Sequence, residues 1–263
     1  MKLAVTGKGG VGKTTVCALL AKALKASGHS VVAIDCDPDS NLLACMGYPR
    51  PESVKPLVEL HALIEEKMGV KPGTTGGMFR LNPFVEDIPD RYAVDIGGIR
   101  VLVAGAVKKG GAGCYCPENA LIRALISHLL VDETTDLVLD MEAGVEHLSR
   151  GTIRTVDSLL IVVEPGRRSV ETALRVRDLA ADLGIRQLSV IGNKIRSEQD
   201  KASLRELLAG MEFAGFLPYD SRLVDVEQRG LSAFGASPAA EQAVQEIVDF
   251  LNQKRGSCKT SSA

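Results

Sequence analysis

The sequence predicts an α/β fold: a single domain with a mostly parallel central sheet and helices on both faces. Three observations carry that prediction. Short apolar, β-type runs recur along the chain. Helix-period segments separate them. A glycine-rich loop stands where the first strand meets the first helix. Strands that are apolar throughout suit burial on both faces, and intervening helices supply the crossovers that parallel strands need.

The elements follow in order. Residues 2–6 form the first strand and lead into the glycine loop. Residues 14–27 follow as a helix, with Val16, Leu19, Leu20 and Leu24 on one side. Residues 31–35 are the second strand. Later strands are expected at 101–104, 137–140, 159–163, 188–191 and 213–217. Val170, Leu174 and Leu183 mark one buried helical stripe, and Val244, Ile247, Val248 and Leu251 mark another. Residues 48–97 are less regular. They hold Pro49, Pro51, Pro72, Gly73, Gly76, Gly77 and Pro83, with one helical stretch at 57–67. They read as an insertion on the nucleotide face. The domain is drawn at 1–253, and the small polar residues of 254–263 read as a disordered tail.

Composition narrows the function. The chain has 263 residues, enough for one large domain. It is 45% hydrophobic and 24% charged, with a net charge of −2, so it lacks the basic excess of a nucleic-acid or anionic-membrane binder. The N-terminus shows no signal-peptide core, and the apolar runs fall short of the ~20 residues of a membrane span. A cytoplasmic protein with neither nucleic-acid nor membrane partners is expected. Its six cysteines then read as thiols rather than a disulfide framework.

Gly7-Lys8-Gly9-Gly10-Val11-Gly12-Lys13-Thr14-Thr15 matches the P-loop pattern G-x-x-x-x-G-K-[ST]. It lies after a strand and before a helix, as the motif requires. Glycines let backbone N–H groups curl around phosphate oxygens, and the helix start adds partial positive charge. Lys13 would contact the β- and γ-phosphates of ATP, and Thr14 would ligate Mg²⁺. Residues 137–140 are an apolar strand ending in an acid, so Asp140 would hold Mg²⁺ through water.

Cys114 and Cys116 lie two residues apart in a glycine-rich stretch before a helix that begins near Pro117. Two such thiols can share one soft metal ion. A closed tetrahedral site needs four ligands. His29, His61, His128 and His147 belong to other segments, so the simplest completion is a second copy of the pair across a twofold dimer axis. The bland alternative is two ordinary thiols in a turn. Cys17 and Cys45 read as core, Cys36 as structural and Cys258 as idle.

Lys8 has no necessary role in an ordinary P-loop. With it, the loop resembles the deviant Walker A loop of the MinD, ParA and nitrogenase iron protein superfamily. That resemblance implies a nucleotide-switched ATPase dimer in which Lys8 crosses to the partner's nucleotide. It implies that Asp37, in Asp35-Cys36-Asp37-Pro38, belongs to switch I and orients the attacking water or holds the Mg²⁺ shell. It implies that Gly144, in Asp140-Met141-Glu142-Ala143-Gly144, belongs to switch II and senses the γ-phosphate. Asn193 and Lys194 resemble the adenine-recognition position, and Pro218 the loop that closes the base pocket. Lys8, Lys13, Asp37 and Asp140 are then the expected catalytic residues.

The stretch 108–152 narrows the match. Residues 1 to about 250 resemble the CooC-type maturation ATPases of carbon monoxide dehydrogenase. Members of that family are implied to dimerise with ATP, to bind Ni²⁺ or Zn²⁺ at the cysteine pair, and to support nickel insertion. Acetyl-CoA synthase is an equally consistent client. Two other readings stay open. One is an ATP-dependent reductase with an iron–sulfur cluster between subunits. Against its usual geometry, Val145, Glu146, His147 and Leu148 offer no cysteine after Asp140. The other is a spatial organiser like MinD or ParA, which leaves the cysteine pair unexplained.

Overall fold

The computed structural model describes residues 1–72, 78–105, 116–144, 156–185 and 187–260, with side chains through 256. Its strands are β1 (Lys2–Thr6), β2 (Ser30–Asp35), β3 (Val94–Ile96), β4 (Ile99–Val103), β5 (Thr135–Asp140), β6 (Ser158–Val163), β7 (Leu188–Ile195) and β8 (Phe213–Pro218). They form one sheet in the order β3-β4-β2-β5-β1-β6-β7-β8. All neighbours pair parallel except β3 with β4. β3 has three residues, none fully buried, at the sheet edge. A strand that short carries no readable period, and the sequence did not betray it.

Successive side chains on a strand point to opposite faces, so each strand feeds two cores. Ala4, Val32, Ile34, Leu137, Leu139, Leu159 and Ile161 face one layer. Leu3, Val5, Val31, Ala33, Val138, Leu160 and Val162 face the other. The first layer holds α3 (His61–Met68), α5 (Pro117–Val131), α6 (Arg167–Leu183) and α7 (Glu198–Leu207). The second holds α1 (Lys13–Ala26), the single turn α2 (Leu42–Cys45) and α9 (Pro238–Thr260). The short helices α4 (Ile88–Tyr92) and α8 (Ser221–Gln228) complete the set among the described residues. None of these helices is long and apolar enough to cross a membrane.

Two expectations need correction. The described residues of 48–97 do not line the phosphate cleft. Leu63, Ile64, Met68, Val85 and Ile88 are buried in the first core, where α3 packs on α5. Those apolar side chains draw the segment onto the flank of the sheet. The tail is also shorter than its composition suggested. α9 continues to Thr260, because a helix anchored by Val244, Ile247, Val248 and Leu251 carries polar residues beyond its packed part at little cost.

Parallel strands bring their C-terminal ends to one edge. The order reverses at β1, with β5 and β2 on one side and β6 and β7 on the other. Such a reversal opens a crevice, and ligands of open α/β sheets bind there.

Candidate nucleotide site

The loop between β1 and α1 is built for close backbone approach. Gly12 has φ 89°, and a Cβ there would lie 2.4 Å from Asn193 Nδ2. A Cβ on Gly7 would lie 2.4 Å from the Val162 carbonyl oxygen. Gly12 is the N-cap of α1, which has no side-chain cap and no acid in its first turn. Its first N–H groups are therefore left for an anion. Lys13 is only 7% exposed, and Lys8 is half-buried. Neither ammonium makes a hydrogen bond or ion pair among the described residues. Two cations with no hydrogen bond or ion pair among the described residues, at an uncapped helix start, suit a polyphosphate.

Two aspartates sit side by side at the strand ends, with Asp35 of β2 in register with Asp140 of β5. Asp35 is fully buried and accepts hydrogen bonds from Leu42 N at 2.9 Å and Asp37 N at 3.1 Å. It pins the turn that presents Asp37. Burial pushes its carboxyl up to about 7, with Asp140 adding to the shift. Asp140 is fully buried too, but neither of its oxygens has a hydrogen-bond partner of normal geometry among the described residues. Burial pushes its carboxyl up to about 6, while Thr14 and Lys13 pull the other way. An orphaned buried carboxylate beside Thr14 fits a hydrated Mg²⁺.

Asn193 and Lys194 reach the loop's backbone. Asn193 Nδ2 donates to Val11 O at 2.8 Å, and Lys194 Nζ to Gly10 O at 2.6 Å. Lys194 also pairs with Glu164 at 3.0 Å. Lys194 is the one non-glycine residue with positive φ among those described, at 58°. These two side chains brace the loop, a role the motif alone did not show. Pro218 ends β8, and the next residue, Tyr219, stacks under the Arg196 guanidinium at 3.9 Å.

The segment expected to form switch II begins beyond Asp140. Gly144 is buried, and its N–H donates to Thr6 Oγ1 at 3.1 Å. Residues 145–155, including His147, lie outside the described residues.

A cleft of about 450 Å³ opens on this edge. Of the expected residues it gathers Gly9, Gly10, Gly12, Lys13, Thr14, Thr15 and Asp37. Lys8, Asp140, Gly144, Asn193, Lys194 and Pro218 lie outside its lining. Its far wall was not foreseen: Leu223, Val226 and Glu227 of α8, with Gly230 and Leu231 beyond it. α8 buries no residue fully, so no core-type stripe announced it. Cys45 also lines the cleft and is half-buried rather than core, its thiol pushed up to about 12 by burial. Cys17 and Cys36 are fully buried, as expected.

Cys114, Lys108 and Lys109 lie outside the described residues, as does the Cys258 side chain. Cys116 is described. It sits at the N-cap of α5, 9% exposed, and lines a second cleft of about 460 Å³. His128 lines that cleft too, but twelve residues along a helix separate the two by about 18 Å. One metal ion cannot span that distance. Among the described residues, no cluster of three or more His, Cys, Asp or Glu is placed to hold a metal.

Comparison with known proteins agrees with this geometry. Residues 2–233 match the CobQ/CobB/MinD/ParA nucleotide binding domain. The carbon monoxide dehydrogenase accessory protein CooC of Rhodospirillum rubrum is 43% identical over 258 residues, covering 97% of this chain and 98% of that protein. An uncharacterised ATP-binding protein of Methanocaldococcus jannaschii is also 43% identical, over 95% of this chain and 97% of its own. The fold is shared with the MinD cell division protein of Aquifex aeolicus, with a TM-score of 0.67 at 22% identity over 97% of this chain and 98% of that one. It is shared also with the septum site-determining protein MinD of Pyrococcus horikoshii, solved with Mg-ADP, with a TM-score of 0.65 at 18% identity over 97% of both chains. From its phosphate loop, its sheet order and these relatives, the chain belongs to the CobQ/CobB/MinD/ParA nucleotide-binding family and is an ATPase akin to CooC.

Proposed function

We propose that this ATPase works as a nucleotide-switched homodimer that takes Ni²⁺ or Zn²⁺ at Cys114 and Cys116 of both chains and supports nickel insertion into carbon monoxide dehydrogenase, or into acetyl-CoA synthase. The observation that carries the ATP-dependent half is the uncapped start of α1 beside two lysines that make no hydrogen bond or ion pair among the described residues. The accessory half rests on the 43% identity to CooC across almost the whole chain.

Each residue then has a task. First-turn N–H groups of α1 and Lys13 bind the β- and γ-phosphates. Thr14, Asp37 and Asp140 would hold Mg²⁺, which offsets phosphate charge when bound. Asp37, on the turn pinned by Asp35, orients the attacking water. Gly144 N–H reaches the γ-phosphate. Asn193, Lys194 and Pro218 serve the base end, with the first two also bracing the loop. Lys8, with no hydrogen bond or ion pair among the described residues, crosses to the partner's nucleotide. The same closure joins two cysteine pairs into a four-thiolate site, and hydrolysis loosens it.

The test is metal, sulfide and mass analysis of anaerobically purified protein, with Ni²⁺ and either ADP or ATP. One Ni²⁺ or Zn²⁺ per two chains, lost in Cys114→Ser, is the expected result. Iron with stoichiometric sulfide would replace this reading with the reductase. In parallel, Lys8→Ala should cut turnover by roughly 10³-fold, the low end of the range for a cation supplied in trans. Undiminished turnover would remove the dimer.

A further inference from the structure

Thr6 is the last residue of β1 and immediately precedes the phosphate loop. It is fully buried, and its strand position is fixed by register with Ile161 of β6. It does not line the phosphate cleft. Its hydroxyl donates to Glu142 O at 2.7 Å, with Gly144 O at 3.0 Å as the competing acceptor. The same oxygen accepts the Gly144 N–H at 3.1 Å. A hydroxyl has one proton and two lone pairs, so it can hold both sides of this turn at once.

We infer that Thr6 is a positioning residue, a latch that holds switch II in its γ-phosphate-free arrangement. The inference rests on the proposed reading of Gly144 as the γ-phosphate sensor. An amide N–H has one proton. While it is bonded to Thr6 Oγ1 it cannot also bond a phosphate oxygen well. ATP must therefore exchange the Thr6–Gly144 bond for a phosphate bond, and ADP need not. The hydroxyl stabilises the relaxed state selectively, so it tunes the preference between the two nucleotides. Its place on a rigid strand suits that task. The element that moves is the turn, and the anchor does not follow it. Hydrolysis removes the phosphate acceptor, and the hydroxyl recaptures the amide.

The experiment compares affinities for ADP and for the imido analogue of ATP, with Mg²⁺ present, in wild type, Thr6→Val and Thr6→Ser. Valine keeps the branched shape and removes the hydroxyl. The ratio favouring the ATP analogue should rise about fivefold in Thr6→Val, the worth of one ordinary hydrogen bond. It should stay near wild type in Thr6→Ser. Thr6→Ala, which adds no bulk, carries the test if valine prevents folding. An unchanged ratio would overturn the latch and leave Thr6 a packing residue. A fall in the ratio would also overturn it, because Thr6 would then hold Gly144 in its binding-competent place. Glycine-selective ¹⁵N labelling separates this from the reading beneath it. If the Gly144 amide resonance is the same with ADP and the analogue, Gly144 is not the sensor and both ideas fall. If it moves while the Thr6→Val ratio does not, only the latch falls.

Discussion

The ends of β2 and β5 lie in register, and each closes on a fully buried aspartate. Asp35 has both oxygens engaged by backbone N–H groups of the turn that follows it. Asp140 has no hydrogen-bond partner of normal geometry at either oxygen among the described residues. The same side chain, at equivalent strand positions, does two different jobs. A buried acid satisfied by its own backbone shapes the chain. A buried acid left open is reserved for something the chain does not supply. The lysines repeat the contrast, since Lys194 is bonded to Gly10 O and Glu164, whereas Lys8 and Lys13 have no described partner.

Alanine at each position should separate the two roles, and the largest effect is expected at Asp140. Asp140→Ala should lower Mg²⁺-dependent turnover by roughly 10–100-fold, the usual loss when a metal's supporting carboxylate goes. It should cost little stability without nucleotide, because among the described residues no donor in normal hydrogen-bond geometry is stranded and a buried charge is deleted. Asp35→Ala strands the Leu42 and Asp37 N–H groups and should destabilise the fold by about 1–3 kcal/mol. Steady-state ATPase assays and urea unfolding in EDTA measure the two axes. Equal losses of stability at both positions would erase the distinction.

A smaller effect should appear in pH dependence. Burial holds Asp35 at about 7 and Asp140 at about 6. In the unfolded chain an aspartate titrates near 3.9. Between about pH 4 and 7 these two groups therefore bind more protons in the folded protein than in the unfolded one, and their contribution to stability falls as pH rises through that window. In EDTA, the midpoint of thermal unfolding should be higher at pH 5 than at pH 8. Asp140→Ala should flatten that slope by removing one of the two groups. A midpoint that rises with pH in this window would mean that the pair is not held protonated.

These contrasts also show what the sequence made legible. Seven of the eight strands could be read because their apolar runs feed two cores at once, and the P-loop could be read because glycine spacing and lysine are local. Asp35 was legible as part of the switch I motif, but its role in pinning the turn was not, because its partners, Leu42 and Asp37, become meaningful only when the turn closes. The bracing by Asn193 and Lys194 spans about 180 residues of chain, and no local pattern encodes it. The α8 wall of the cleft comes from a helix with no fully buried residue. Residues 48–97 were misplaced because prolines and glycines reveal irregularity but not location. Their buried Leu63, Ile64 and Met68 held the location, and could be weighted only once α5 was in view.

The smallest expected effect tests whether engaged groups support the open ones. Lys194 holds a left-handed backbone conformation that costs a non-glycine residue of order 1 kcal/mol, and such strain persists only where the surroundings fix it. Here its ammonium is held by Gly10 O and Glu164. Glu164→Gln removes the charge but keeps the shape, and Lys194→Met removes both bonds. The pair is partly exposed, so stability should move by less than about 1 kcal/mol. Turnover should fall roughly two- to fivefold in each, because a looser Gly10 carbonyl leaves the loop carrying Lys8 less well placed; misplacement of groups far from the reacting atoms is known to lower rates by much larger factors. If the two act as one brace, the double variant should be no slower than Lys194→Met alone. Multiplicative losses would mean that Glu164 and Lys194 act separately, and that the loop is held by Asn193 and its glycine geometry alone.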